Sequence, residues 1–122
     1  AFRFTGGPAG AGNLAIADGG AHGAMILGPP VEDWRRFDLS DHPLRLRIND
    51  DPVIESSNKV LLWDDTVDAV LWLANHPALA GRGLGAGEVV MTGTCTGLIP
   101  LKAGDAAEAD FGDLGTVGAR FA

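Results

Sequence analysis

The sequence predicts a β-rich α+β domain, on three observations. Eighteen glycines and seven prolines in 122 residues are too many for a helical bundle, and they fall between short apolar runs, where turns between strands would place them. The stretch Leu44-Arg45-Leu46-Arg47-Ile48 alternates apolar and basic side chains with the period of a strand that buries one face. Apolar residues at sustained helical spacing occur in one long segment, Asp64 to Ala80. These elements do not form repeated βαβ units, so a doubly wound fold is disfavoured.

Each element follows from its own residues. Residues 12–18 read as a short helix, with Asn13 as a possible N-cap and Gly19-Gly20 as its stop. Ala24-Met25-Ile26-Leu27 reads as a buried strand ended by Gly28-Pro29-Pro30, and residues 31–42 as a connecting segment without a period. Asn49-Asp50-Asp51-Pro52 is turn chemistry between Leu44–Ile48 and Val53-Ile54-Glu55, which makes that pair a β-hairpin. In the long helix Val67, Val70, Leu71 and Ala74 recur at three- and four-residue spacing, Asp64 or Asp65 can cap the start, and Pro77 limits the end. Val89-Val90-Met91 and Ile99 to Lys102 read as extended, with a polar loop from Thr92 to Gly97 between them. Ala107 to Phe111 and Val117 to Phe121 are the last strands, joined by a turn at Gly112-Asp113.

Composition sets the class of partner. With 46% hydrophobic residues the chain has enough apolar material for one modest core, so residues 1–122 are expected to form a single domain. Sixteen acidic and nine basic residues give a formal charge of −7, which repels nucleic-acid backbones and anionic lipid surfaces. No apolar run is long enough to span a bilayer and no signal-peptide pattern opens the chain, so the expected location is the cytoplasm. The single Cys95 has no second thiol for a disulfide or a structural zinc site. The opening Ala1-Phe2-Arg3-Phe4, without an initiator Met, is expected of a processed, truncated or incomplete chain.

Chemistry concentrates in residues 87–105. There a strand runs into Thr92, Gly93, Thr94, Cys95, Thr96 and Gly97, so hydroxyl groups and free backbone N–H groups can converge on one point. Such donors suit a carboxylate or enolate oxygen, and glycine lets a ligand approach the main chain. A Thr/Gly turn between strands explains the same composition. His22, His42 and His76 have no metal-ligand spacing and are assigned surface or capping roles. Asp110 and Asp113 flank a tight turn and are assigned structural roles, Cys95 reads as a small filler, and Trp34, Trp63 and Trp72 as core or interface anchors.

The stretch from Gly87-Glu88-Val89-Val90-Met91-Thr92-Gly93-Thr94 to Gly104-Asp105, with Phe111-Gly112-Asp113-Leu114-Gly115-Thr116-Val117 after it, resembles the carboxyl-terminal signature of the 2-keto-4-pentenoate hydratases of the fumarylacetoacetate hydrolase superfamily. Leu14-Ala15-Ile16-Ala17-Asp18 ahead of Gly19-Gly20, and Val70-Leu71-Trp72-Leu73-Ala74-Asn75, resemble two further landmarks of that family, in the same order. The resemblance implies a fumarylacetoacetate-hydrolase C-terminal-like mixed β-sheet or roll with two short-to-medium helices. It also implies a divalent metal, Mg²⁺ or Mn²⁺, that chelates a small 2-keto carboxylate, and a hydratase reaction that adds water to a 2-hydroxy-dienoate. Thr92, Gly93, Thr94 and Thr96 carry over as substrate-binding positions, and Asp18 as the catalytic residue.

Some family features are not found. The family's Glu-x-Glu metal pair does not occur in the chain, Ala1 stands where an acid is expected before Arg3-Phe4, and Glu55-Ser56-Ser57-Asn58-Lys59 replaces a glycine-containing turn. The metal ligands are therefore expected upstream of Ala1, with none in this chain. An acylpyruvate hydrolase, a 4-oxalocrotonate-type decarboxylase and a non-catalytic hydratase-like module remain open as alternatives. Half of such a fold would leave apolar faces uncovered, so a homo-oligomer is expected.

Overall fold

The computed structural model describes residues 22–61, 65–79 and 81–122, together with the single positions 13, 17, 19 and 20. The expected first helix, Asp18, Trp63 and Asp64 lie on or among residues outside that set. Four strands and one α-helix organise the described residues, in keeping with the α+β class: β1 (Pro43–Ile48), β2 (Ile54–Ser57), α1 (Thr66–Ala74), β3 (Ala106–Asp110) and β4 (Thr116–Arg120). The sheet order is β2-β1-β3-β4, and every pairing is antiparallel.

Register explains the alternation. Leu46 pairs with Ile54 on one side and Ala109 on the other, and Ala109 pairs with Val117, so Ile54, Leu46, Ala109 and Val117 share one face. Leu44, the most deeply buried leucine described, lies on that face at 7% exposure. The opposite face carries charge: Arg45 stands opposite Asp110 and Glu55, and Arg47 opposite Glu108. The Arg45–Glu55 pair closes to 3.3 Å between two well-exposed side chains, so it contributes little more than solubility.

The β1–β2 turn is held from outside the hairpin. Asn49 adopts φ +51°, a left-handed conformation that asparagine tolerates. Its Nδ2 donates to Asp105 Oδ1 at 2.9 Å and its Oδ1 accepts the Ala106 N–H at 2.9 Å. The other Asp105 oxygen accepts the Lys102 N–H at 2.9 Å. Asp105 is 8% exposed, and the Lys102 N–H, then the Asn49 amide, hold its carboxyl below the usual aspartate range.

Helix α1 starts as a capped helix should: Asp65 accepts the Val67 N–H on Oδ1 at 2.7 Å. It is shorter than its sequence pattern suggests. The Asn75 N–H and Nδ2 both return to Leu71 O, at 3.1 and 2.7 Å, and Pro77 opens a separate 3-10 turn to Leu79. Ala69 is buried, whereas Leu71 and Trp72 are 54% exposed. Val67, Val70, Leu73 and Ala74 are half-buried beside Ala69, so of the expected stripe only Leu71 faces solvent.

The runs 24–27, 89–91 and 99–102 belong to no described strand or ladder. Ile26, Leu27, Val89 and Met91 are 52–67% exposed, so the expected buried strands are not formed among the described residues. A run of apolar residues specifies a strand only when a partner strand supplies the hydrogen bonds and the covering face. The chain does pass over the sheet at Gly28, where a Cβ would stand 2.8 Å from Val117 Cγ1. No described helix is long and apolar enough to cross a membrane.

Candidate active site

The structure brings two separate sequence landmarks to one place. A cleft of about 660 Å³ is lined by Gly19, Gly20, His22 and Met25 together with Val89 and Met91. Gly19 and Gly20 adopt φ +69° and +73°, which turns the chain directly after Asp18 with no Cβ in the way. Met91 is the residue before Thr92, so the threonine loop begins at the rim of this cleft. Asp18 itself is outside the described residues.

Within the loop the predicted positions differ in what they offer. Thr92 and Thr96 are half-buried, and Gly93 and Thr94 are exposed. Thr94 Oγ1 donates to Gly97 O at 3.0 Å, so its proton is committed inside the loop. Gly93 has φ +145° and Gly97 φ +75°, conformations that few side chains tolerate. A Cβ on Gly93 would also stand 2.8 Å from Leu61 Cδ2. The glycines thus allow a chain path that other residues would not take.

Residues that sequence reasoning passed over hold this loop from below. Ser56 sits on the inner face of β2, opposite Leu44, and its Oγ donates to Cys95 O at 2.5 Å. Cys95 is half-buried, its Sγ donates to Asn58 Oδ1 at 3.7 Å, and burial pushes its thiol pKa up. Asn58 Nδ2 donates to Leu39 O at 2.9 Å and lies 3.0 Å from Thr66 Oγ1 at the start of α1. The one sequence signal was a hydroxyl at an inward position of an otherwise apolar strand face.

The remaining polar candidates are structural. Asp110 Oδ1 accepts the Gly112 N–H at 2.9 Å, which closes the β3–β4 turn. His76 Nδ1 accepts the Ala78 N–H at 3.2 Å, the capping role expected of it. His42, expected in a surface or capping role, is buried at 9% exposure, with Nε2 2.6 Å from Phe111 O, and so pins the end of β3 to the start of β1. Lys59 reaches Asp41 at 3.5 Å. Among the described residues no three of His, Cys, Asp and Glu come together as a metal ion requires. The described side chains do not make a divalent-metal centre by themselves.

The fumarylacetoacetate (FAA) hydrolase C-terminal family matches residues 8–122. The chain belongs to that family. Curated proteins it is similar to include 2-keto-4-pentenoate hydratase 1 of Dechloromonas aromatica, 29% identical over 107 residues, which cover 88% of this chain and 40% of that protein. The TodF product hydratase of Pseudomonas putida is 32% identical over the same shares of both chains. The 2-hydroxyhexa-2,4-dienoate hydratase of Comamonas testosteroni is 27% identical over 87% of this chain and 40% of its own length. This FAA hydrolase C-terminal chain therefore spans about 40% of the length of the curated relatives it matches. No solved structure matches it.

Proposed function

We propose that residues 1–122 form one domain, the carboxyl-terminal part of a metal-dependent hydratase that adds water to a 2-hydroxy-dienoate of the 2-keto-4-pentenoate type. The observation that carries the reading is the shared cleft, whose lining joins Gly19 and Gly20 to Val89 and Met91, the residues just ahead of the threonine loop. Relatives named as hydratases support the reaction class. In this reading the fold is a mixed sheet or roll with two helices, of which the described residues show four antiparallel strands and the helix α1.

The loop's part in the chemistry is to bind and orient an anionic acid. Main-chain N–H groups at Gly93 and Thr94 and the Thr92 and Thr96 hydroxyls donate to the substrate's carboxylate or keto oxygen, where negative charge develops. The Thr94 hydroxyl orients the turn through Gly97. Asp18 is the catalytic residue in this reading. A protein with seven net negative charges draws in an anion only through local donors or a bound cation. A divalent cation, Mg²⁺ or Mn²⁺, would be held by ligands outside the described residues and would supply charge stabilisation to the substrate's oxygens.

Self-association belongs to the same proposal. Leu44 and Ala69 are the buried apolar residues described, while Leu27, Met91 and Leu98 are 64–72% exposed, more apolar surface than a monomer ordinarily leaves in water. Sedimentation at micromolar concentration is expected to show a dimer or larger species, and a monodisperse monomer would argue against it.

The test is the intact mass of the natural gene product together with calorimetric titration by oxalate, an enolate mimic, with and without Mg²⁺. A product of the relatives' length that binds oxalate only with the metal supports the hydratase. A second reading, a non-catalytic hydratase-like module, draws on the missing metal-ligand cluster among the described residues. A natural product of this length that binds neither Mg²⁺ nor oxalate would establish the module instead.

A further inference from the structure

We infer that Ser56 and Asn58 are positioning residues that set the shape of the threonine loop. The inference rests on the proposed hydratase reading for what that shape is used for, but the clamp is visible without it. Three contacts from residues 56–61 converge on residues 93–95 of the loop: Ser56 Oγ on Cys95 O at 2.5 Å, Asn58 Oδ1 on Cys95 Sγ at 3.7 Å, and Leu61 Cδ2, 2.8 Å from where a Cβ on Gly93 would stand.

The clamp is anchored at its base. Asn58 takes its place from four directions: its N–H donates to His42 O at 3.1 Å, its carbonyl accepts the Leu61 N–H at 2.9 Å, and its amide reaches Leu39 O and the Thr66 hydroxyl. Ser56 is fixed by the β1–β2 ladder opposite Leu44. The loop itself is in no described ladder, so these side-chain contacts replace the main-chain bonds a strand would have supplied. A donor array for an anion works only if its geometry is set before the ligand arrives, which makes the clamp a determinant of affinity as well as of stability.

The test uses the whole chain and two readouts. Cys95, the one thiol, reports loop release through its rate of reaction with dithionitrobenzoate, and oxalate titration in Mg²⁺ reports the donor array. Ser56→Ala is expected to speed labelling roughly tenfold and to weaken oxalate about as much, the equivalent of one lost hydrogen bond to a part-buried acceptor. Ser56→Thr, which keeps the hydroxyl, is expected to label at the wild-type rate. Asn58→Ala should release the thiol as Ser56→Ala does. The inference is overturned if Ser56→Ala, folded by circular dichroism, labels at the wild-type rate, or if Ser56→Thr labels as fast as Ser56→Ala. A wild-type chain that fails to bind oxalate would count against the hydratase reading, while the labelling arm would still decide the clamp.

Discussion

Gly93→Ala is the substitution that puts the loop's geometry under most strain. Two terms add. The backbone at φ +145° is glycine territory, and holding alanine there costs about 1–3 kcal/mol. The new methyl also stands 2.8 Å from Leu61 Cδ2, and pushing that side chain off its rotamer costs a further ~0.5–1.5 kcal/mol. Together they come to roughly 2–4 kcal/mol of lost stability, if the loop keeps its path. Urea unfolding followed by circular dichroism measures the loss. The double variant Gly93→Ala/Leu61→Ala separates the terms, because it removes the contact and leaves the backbone strain, so it should be more stable than additivity predicts by about 1 kcal/mol. If Gly93→Ala lies within about 0.5 kcal/mol of wild type, the left-handed path through Gly93 is not a requirement of this fold and the loop's shape must be set elsewhere. If the double variant recovers everything, sterics alone explain the glycine.

Other expectations follow from the fold. Asp65→Ala removes the acceptor of the Val67 N–H and should lower stability by about 1 kcal/mol, with Asp65→Ser recovering most of it in the same denaturation assay. Leu44→Ala empties the best-buried leucine position described and should destabilise by about 2–4 kcal/mol; a loss below 1 kcal/mol would mean the core lies elsewhere. Asp105 has a depressed folded-state pKa, because the Lys102 N–H and then the Asn49 amide favour its charged form. Its contribution is therefore complete above the unfolded aspartate value of about 3.9 and is lost as pH falls through the lower folded value. Asp38, Asp41 and Glu88, lowered chiefly by bonds from Ser40, Ser57 and Arg82, add to the same acid loss. Asp105→Asn should thus be less stable at pH 6 and show a shallower decline below pH 4 than wild type, and an unchanged slope in urea midpoints would contradict the assignment.

The hairpin and the last two strands were legible because their signals are local. Alternation in 44–48, turn residues at 49–52 and glycine turns around 112–115 need no knowledge of distant chain, and the observed strands differ from the expected ones by a residue or two. Helix α1 was legible at its Asp65 cap and less so at its end, where Asn75 closes it before the periodic pattern runs out. The strands expected at 24–27 and 89–91 were misread for the converse reason: their apolar character is real, but strand pairing depends on chain that the pattern cannot see. The site divides the same way. The threonine loop announced itself by composition, whereas the clamp at Ser56 and Asn58 joins residues 39 and 37 positions apart and becomes apparent only once β2 is folded onto β1.

The charged face of the sheet has a consequence for how the sheet assembles. Sliding β3 by two residues along β1 would still set Arg45 against Glu108 or Arg47 against Asp110, so complementary charge alone accepts more than one alignment. Burial of the apolar face rejects a slip of one residue, yet a slip of two keeps every side chain on its own side. What distinguishes the native alignment is at the end of the ladder, where Asn49 meets Asp105 and Ala106 through three hydrogen bonds. That corner acts as a register pin. Its loss would yield a folded sheet in mixed alignments, visible as doubled amide resonances for β3 and β4 rather than as a lower melting point alone.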